Sequence, residues 1–380
     1  MSIKNVILLL AEDRIIDREL VRGIARYANL QSANRWVFYH ELERKTPLAK
    51  LKKWKADGII ARNYDYETTV NLTKFGLPII TRGLQINNYP YIAANENAIA
   101  TLAARHFQER GFQHLAYIGI TLPWSMERGD AFREKCKNFC DAFYIFQRGV
   151  KKAKGYNQKE IEKMAGWLKT LPKPVGIFVC NDDAAGAVTE ACKLTGIIIP
   201  KEVAILGVDN DTYICELSDP PLSSIALNFE NVGYAAAKAL DSYMSGKTVE
   251  EKKILLEPTH IVSRQSTNIL AVKDHEIIKA LNFIRQNVKK LIQVNDVVAA
   301  TNVSRRYLER RFKNAIHRSI CDEIRYCKVT LISEMLSETT LSISDISMSL
   351  GFSNTKHFAR YFCKAAGITP LAYRKKYGRI

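Results

Sequence analysis

Carboxylates follow two of the apolar segments that the sequence predicts to be strands. Asp182 follows the run 175–180, and Asp209 follows the run 203–208. At the carboxyl ends of parallel strands, such side chains face the crevice where α/β proteins bind ligands. One aspartate can accept hydrogen bonds from two sugar hydroxyls, because both of its oxygens are acceptors. The pattern is compatible with a site for sugar hydroxyls, and helix capping by Asp182 or a simple turn at Asp209 explains each residue equally well.

A second kind of chemistry is indicated by two similar segments near the end of the chain, 294–312 and 343–362. Each contains a short predicted helix, a tight turn, a serine at the next helix N-terminus, and a second helix with an apolar pair four residues apart. The turn needs a residue that tolerates positive φ, and Asn302 and Gly351 occupy that position. Two such segments in tandem predict a pair of helix-turn-helix units that read adjacent major grooves of DNA.

Helical geometry separates the two faces of each second helix, because successive residues turn by about 100°. If Leu308 and Phe312 are buried, Arg306 and Arg310 lie on the opposite face of the first one. The same argument exposes cations and hydrogen-bond donors in the second one. Such side chains suit base edges in a major groove, whereas the alternative is a helical bundle with an ordinary charged exterior.

Two kinds of scaffold are needed to position these residues. Over the first 265 residues, short apolar runs alternate with amphipathic segments, which predicts parallel sheets covered by helices on both faces. That length fits two sheets better than one, so we expect two α/β lobes with a cleft between them. From Asp274 onward only helical spacing occurs, and the segment 263–273 is the predicted linker. The nine predicted strands are 6–10, 36–40, 58–61, 78–81, 91–93, 114–118, 175–179, 203–208 and 223–226.

The charge distribution points to a polyanionic partner for the last part of the chain. The net charge is +17, and residues 270–380 alone carry 20 basic and 9 acidic side chains, a net charge of +11. A basic terminal segment is typical of nucleic-acid binding, although a solubilising basic surface accounts for the charge alone equally well. The apolar run 6–11 is too short to span a bilayer, so we expect neither export nor membrane insertion.

An α/β enzyme that converts sugars or nucleotides, with a basic helical appendage, is the alternative from another class. The sequence contains no P-loop, no GxGxxG after the first strand, no GxSxG, and no His/Cys cluster with metal spacing. The eight cysteines include no CxxC, which predicts small buried thiols in a reducing cytoplasm. We therefore expect no catalytic residue, no metal and no cofactor.

Residues 274–377 resemble the DNA-binding domain of the AraC/XylS family of transcription activators. The resemblance rests on Gly351-Phe-Ser and on the run from Phe362 to Arg374, which matches the family signature. At Ser347 the family usually has alanine, and serine is expected to be small enough to pack there. Together with the exposed helix faces, the resemblance implies that DNA is contacted by Ser304, Arg305, Arg306, Glu309, Arg310, Asn354, Thr355, Lys356 and Arg360.

The earlier part of the chain resembles the sensor domain of the LacI/GalR repressors, which has a periplasmic-binding-protein fold. The segments 91–97, 106–119 and 127–133 carry this resemblance. The family's usual Asp-Asn pair is replaced by Asn95-Glu96, so no role is assigned to these two residues. The ligand-binding residues that the resemblance implies are Asp13, Arg128, Asp182 and Asp209.

The order of the two modules resembles that of the regulators of bacterial xylose operons. We predict a two-lobed α/β sensor over 1–268 and an all-α DNA-binding domain over 269–380, with helix-turn-helix units at about 293–315 and 342–366. The predicted function is a cytoplasmic transcription activator that binds a double-stranded DNA operator as a homodimer. Its expected effector is a small sugar such as xylose, and RNA polymerase is a further expected partner.

Overall fold

The computed structural model describes residues 2–10, 14–31, 34–40, 53–62, 71–83, 86, 89–137, 139–146, 158–247, 252–272 and 274–378. The chain divides into two compact units. The first unit comprises residues 1–95, 149–152 and 228–257, and the second comprises 96–148, 153–227 and 258–380. Each unit is built around one six-stranded sheet, so segments that are distant in sequence combine in each.

The sheet of the first unit is parallel throughout, in the order β11-β5-β4-β3-β1-β2. Its strands are β1 (Ser2–Leu9), β2 (Asn34–His40), β3 (Gly58–Arg62), β4 (Ile79–Arg82), β5 (Tyr91–Ala94) and β11 (Lys253–Leu256). Helices α1 (Ile15–Asn29) and α7 (Phe229–Met244) pack closely against each other. A Cβ atom on Gly23 would lie 1.9 Å from the carbonyl oxygen of Glu230, so only glycine permits this approach.

The sheet of the second unit has the order β12-β10-β9-β8-β6-β7, and its edge strand β12 is antiparallel to β10. The strands are β6 (His114–Ile120), β7 (Cys140–Phe146), β8 (Val175–Val179), β9 (Val203–Val208), β10 (Ser223–Leu227) and β12 (Pro258–Val262). Strands β8 and β9 are buried along their whole length, as their continuous apolar sequences require. The helices are α2 (Glu96–Gln108), α3 (Pro123–Lys135), α4 (Gln158–Thr170), α5 (Asp182–Thr195) and α6 (Thr212–Leu217).

Seven further helices of the second unit form what we call the DNA-binding module. They are α8 (His275–Gln286), α9 (Val294–Ala299), α10 (Arg305–Ile316), α11 (Ile320–Glu338), α12 (Ile343–Ser349), α13 (Thr355–Ala366) and α14 (Pro370–Tyr377). They enclose two separate apolar cores, one around Leu308 and Phe312 and the other around Phe358 and Phe362. The 19-residue helix α11 contributes Ile320 to the first core and Leu336 to the second, so it joins the two helix-turn-helix units.

All nine predicted strands are confirmed, and the described residues contain three further strands that the sequence did not reveal, β7, β11 and β12. Each of these three lies at the edge of a sheet. Strands β11 and β12 are only partly buried, so their sequences lack the continuous apolar runs of the central strands. Residues 258–378 share a compact unit with the second sheet, and the domain boundary at 268/269 stays a prediction.

Two further expectations need correction. The segment predicted as a linker contains a 3-10 turn at Gln265–Thr267, in which Ser266 and Thr267 are buried. The cysteines are not uniformly buried: Cys321 is exposed, and Cys327 and Cys363 are partly exposed. Position on the outer face of a helix explains these exposed thiols, because the apolar stripe of an amphipathic helix covers only one side.

Candidate functional site

Asp182 is buried at the start of α5, where its carboxylate binds three donors of the second unit. Oδ1 accepts a hydrogen bond from Ser224 Oγ at 2.6 Å, and Oδ2 accepts from the Asp211 amide at 2.8 Å and from Cys215 Sγ at 3.4 Å. The N-cap residue of α5 is Asn181, so the alternative that Asp182 merely caps this helix is wrong. Burial raises the pKa of Asp182 to about 7, although its hydrogen bonds favour the charged form.

Asp209 and Asn210 form a strained turn directly after β9. Their φ angles are 105° and 51°, and such angles cost non-glycine residues about 1–3 kcal/mol each. Ser224 Oγ accepts from the Asn210 amide at 3.0 Å and donates to Asp182, and Arg264 Nη2 donates to Asn210 Oδ1 at 3.0 Å. Asp182 therefore stabilises this turn through Ser224, and backbone strain of this kind is concentrated at binding sites.

Arg128 is buried on α3 and is paired with Glu96. Its Nε donates to Glu96 Oε2 at 2.5 Å, and its Nη1 donates to the carbonyl oxygen of Cys180. Burial alone would lower the pKa of Arg128, but Glu96, and more weakly Tyr117 and Asp209, raise it above its usual value. A charged guanidinium close to the strained turn is suited to donate hydrogen bonds to the oxygens of a polyol.

The structure brings Arg128, Asp182 and Asp209 together at the carboxyl ends of the strands in the second unit, whereas Asp13 lies outside the described residues. Sequence reasoning missed Glu96 because it departs from the family pattern. It also missed Asn181, which is buried at the same edge and follows β8. The sequence did contain a signal for each residue: Glu96 is a carboxylate at the start of a predicted helix, and Asn181 is an uncharged amide that follows a predicted strand.

Two arginines at the carboxyl ends of strands in the first unit were also missed. Arg62 Nη1 and Arg82 Nε lie 3.1 and 2.9 Å from the buried carboxylate of Asp17. They are further candidates for hydroxyl recognition within that unit.

The described part of the chain holds no group of three or more His, Cys, Asp or Glu side chains suited to a metal ion. Among its described helices, none has the length and apolarity needed to cross a membrane.

The turns of the two helix-turn-helix units differ from each other. Gly351 has a φ of 77°, as predicted, but Asn302 does not have a positive φ. The amide of Asn302 instead donates to Glu276 Oε2 at 2.7 Å, which fixes the first turn to α8. Ser304 occupies the N-cap of α10 without a side-chain cap bond, and the cap of α13 is Asn354, not the predicted serine.

The first recognition helix, α10, exposes a charged face opposite its buried core residues. Arg306 and Arg310 are exposed, and Arg310 lies 5.6 Å from the ring centre of Tyr307. Arg305 Nε lies 2.9 Å from Glu309 Oε1, and its Nη1 donates to the side chain of Asn295. Arg306 and Arg310 are therefore exposed cations on the side of this helix opposite Leu308 and Phe312.

The second recognition helix, α13, buries Phe358 and Phe362 completely. Lys356 and Arg360 are exposed on the other side, as helical geometry predicts, and Thr355 is exposed at the start of the helix. The Asn354 side chain accepts a hydrogen bond from the backbone in the first turn, which leaves its amide group at the exposed N-terminus. The helix therefore presents two cations on its exposed face and two uncharged polar side chains, Asn354 and Thr355, at its N-terminus.

Lys328 lies on α11 and contacts the segment that precedes the first helix-turn-helix unit and the turn of the second. Its Nζ donates to the carbonyl oxygens of Val288 at 2.7 Å, Lys290 at 3.0 Å and Leu350 at 3.0 Å. Burial lowers the pKa of Lys328 to about 8, so the ammonium form predominates at neutral pH. The three bonds join the segment after α8 to the turn after α12.

Ser347 is fully buried, as expected for a position where alanine is usual, but its hydroxyl has no hydrogen-bond partner among the described residues. An unsatisfied buried hydroxyl costs about 1–3 kcal/mol. We expect Ser347→Ala to raise the free energy of unfolding by about 1 kcal/mol, measured by urea denaturation. Ser349→Ala, on the same helix, is the control, because Ser349 Oγ donates to the carbonyl of Ile346. A destabilised Ser347→Ala would contradict the expectation.

Three family profiles match the chain in succession. An XylR N-terminal domain matches residues 5–100, a periplasmic binding protein-like domain matches residues 104–267, and a helix-turn-helix domain matches residues 297–376. Their order is a sensor followed by a DNA-binding domain, as the sequence predicts.

Curated relatives align over almost the whole chain. The xylose operon regulatory protein of Haemophilus influenzae is 30% identical over 97% of this chain and 98% of its own. The protein of the same name from Escherichia coli K12 is also 30% identical, over 97% of this chain and 96% of its own.

Solved structures agree with this alignment. A xylose-binding transcription activator, xylR, is 29% identical, covers 100% of both chains and superposes with a TM-score of 0.62. A LacI-type regulator from Alkaliphilus metalliredigens, complexed with D-xylulofuranose, covers 70% of this chain and 99% of its own with a TM-score of 0.55. At 22% identity, this second structure supports the fold alone.

Proposed function

The chain belongs to the family of xylose operon regulatory proteins, and from that membership we propose that D-xylose is the effector that controls its binding to DNA. The chain is a DNA-binding transcription regulator, and its full-length relatives are regulators rather than enzymes. The proposal is carried by one observation: the 30% identity extends over 97% of the chain and so includes sensor and helix-turn-helix units alike.

The proposed sugar site lies at the carboxyl ends of β8 and β9 in the second unit. The proposed ligand-binding residues of this unit are Arg128, Asp182 and Asp209, and Asp13, which lies outside the described residues, stays a prediction from the sequence. Arg128 donates to sugar hydroxyls and Asp209 accepts from them, whereas Asp182 acts through the strained turn that it stabilises. This assignment is supported by burial of Arg128 and by its electrostatic interaction with Asp209.

Isothermal titration calorimetry with D-xylose, L-arabinose and D-ribose tests this site. We expect saturable binding of D-xylose and weaker binding of the other two sugars. Arg128→Lys should weaken D-xylose binding about tenfold or more, because an ammonium cannot reproduce the fork of donors of a guanidinium. If the wild-type protein released no heat with D-xylose but bound another of these sugars, the proposed effector would be wrong and that other sugar would take its place.

The proposed DNA contacts are made by the exposed faces of α10 and α13. We expect Arg306→Ala and Arg360→Ala each to cost about 1–3 kcal/mol of specific binding. Fluorescence anisotropy with a duplex selected from a random library measures this loss. Arg22→Ala is the matched control, because Arg22 is an exposed arginine of the first unit. Wild-type affinity in both recognition-helix variants would remove these residues from the interface.

We also propose that the regulator is cytoplasmic, acts as a homodimer and activates transcription through contact with RNA polymerase. Dimers of helix-turn-helix proteins bind paired half-sites, which doubles the number of base contacts. Sedimentation equilibrium with operator DNA provides the test. The expected species contains two chains per duplex, and one chain per duplex at saturation would contradict the dimer.

A further inference from the structure

The DNA-binding module is attached to the sensor part of the second unit by a buried cluster of charges. Glu109, just after α2, has its Oε1 2.8 Å from Arg318 Nη1 and 3.2 Å from Arg105 Nε. Arg318 Nε also lies 2.6 Å from Glu323 Oε2. The Tyr326 ring centre is 4.3 Å from the Arg105 guanidinium and 4.6 Å from that of Arg318. Removal of one partner from such a buried cluster leaves an uncompensated charge, so a single substitution here is expected to destabilise the docked arrangement.

This cluster lies at the end of the first recognition helix. Helix α10 ends at Ile316, its C-cap His317 has a left-handed φ of 61°, and Arg318 is the next residue. The His317 ring is 5.9 Å from the ring of Phe139 in the sensor part. A displacement of the sensor surface at Glu109 would therefore act on the recognition helix itself.

The other end of α2 lies at the proposed sugar site. Glu96 is its first residue and binds Arg128. The helix has 13 residues, so it spans about 20 Å at about 1.5 Å per residue. Its inner face is completely or almost completely buried, through Ile99, Ala100, Ala103, Ala104, His106 and Phe107. A helix packed in this way moves as a rigid element rather than by bending.

We propose that α2 transmits the state of the sugar site to the first recognition helix, and that the Glu109–Arg318 ion pair is the coupling contact. This inference rests on the function proposed above. A sugar hydroxyl that bonds to Arg128 competes with Glu96 and shifts the start of α2. The shift reaches Arg318 through Glu109. DNA affinity changes because the sugar favours the position of α2 in which Arg128 is available to it.

The segment between the two modules follows the same helix. Ala271 donates its amide hydrogen to the carbonyl of Arg110 at 2.7 Å, and Arg110 Nε donates to the carbonyl of Thr267 at 2.9 Å. A second contact lies at β12, where Tyr373 Oη donates to the carbonyl of Thr259 at 2.8 Å. The DNA-binding module is thus attached to the sensor part as one body, which distinguishes this arrangement from a flexible tether.

Arg318→Met and Glu109→Ala in the full chain test the inference, with Arg133→Met as the control. Arg133 is exposed and ion-paired on α3, away from the cluster. The coupling is the ratio of operator dissociation constants measured without and with D-xylose. In both variants we expect this ratio to be closer to one than in the wild type, by a factor of at least about five. The affinity for D-xylose in the absence of DNA should stay within about twofold of the wild-type value. The control should keep the wild-type ratio, and wild-type ratios in both variants would overturn the inference.

Hydrogen exchange without sugar or DNA provides a second readout that does not depend on the effector. We expect amides of residues 268–272 and 317–326 to exchange about tenfold faster in Arg318→Met and Glu109→Ala, because the docked state opens more often. Unchanged exchange there would overturn the docking contact. A wild-type protein whose DNA binding ignores D-xylose would instead overturn the proposed effector, so the two failures are distinguishable.

Discussion

Lys328→Met is expected to lower the free energy of unfolding of the DNA-binding module by about 3 kcal/mol. Methionine fills a similar volume but donates no hydrogen bond. The carbonyl oxygens of Val288, Lys290 and Leu350 would lose the ammonium that binds all three. Each lost bond to a charged donor is worth about 1.5–3 kcal/mol, and relaxation toward water recovers part of the loss. Thermal and urea unfolding of the full chain measure the change.

The same substitution should weaken binding to a complete operator more than binding to a truncated one. Because Lys328 joins the segment before the first unit to the turn of the second, we expect it to hold the two recognition helices at their spacing. Its loss should then affect only a duplex that must engage both helices. We expect an affinity loss of about tenfold for DNA with both contacted grooves and little change for DNA with one. Lys375→Met is the control, since Lys375 is exposed on α14. Equal stability and equal affinity in Lys328→Met and wild type would refute this role.

Asp182→Ala is expected to abolish the thermal stabilisation that we expect from the proposed effector, D-xylose. At a ligand concentration of about 100 times Kd, binding stabilises the native state by about 2.7 kcal/mol. Without the carboxylate, Ser224 and the Asp211 amide lose their acceptor, and the strained turn at Asp209 and Asn210 is free to relax. A relaxed turn no longer presents Asp209 to the sugar. Differential scanning fluorimetry with and without D-xylose measures the shift.

Two further variants separate this positioning role from a general loss of folding. Ser224→Ala removes the link between Asp182 and the Asn210 amide but keeps the buried carboxylate. It should reduce the D-xylose shift while preserving cooperative unfolding. Asp219→Ala is the matched control, because the Asp219 side chain is 84% exposed. If Asp182→Ala kept the full wild-type shift, Asp182 would have no part in the site.

The fold could be predicted where a strand or helix buries one continuous surface. Strands β8 and β9 have uninterrupted apolar sequences, and both were predicted with their observed bounds. Strands β11 and β12 were missed because edge strands bury less surface and have mixed sequences. The faces of α13 followed from its spacing alone, since burial of Phe358 and Phe362 dictates which residues are exposed.

Contacts between side chains distant in sequence could not be predicted. Glu96 and Arg128 are 32 residues apart, and Lys328 is 38 to 40 residues from two of its three acceptors. No local pattern reports such pairs. Asn302 shows a related limit: its type permits a positive φ, but the hydrogen bond to Glu276 on another helix favours a different turn. Tertiary contacts override local preference in such cases.

Control of DNA binding by a sugar is tested most directly by the operator affinity of the wild-type protein, measured at one salt concentration with and without saturating D-xylose. We expect the two dissociation constants to differ by a factor of about 5–150, and removal of the sugar should restore the first value. The same dissociation constant under both conditions, with calorimetry showing that D-xylose is bound, would contradict the claim that the sensor governs the recognition helices.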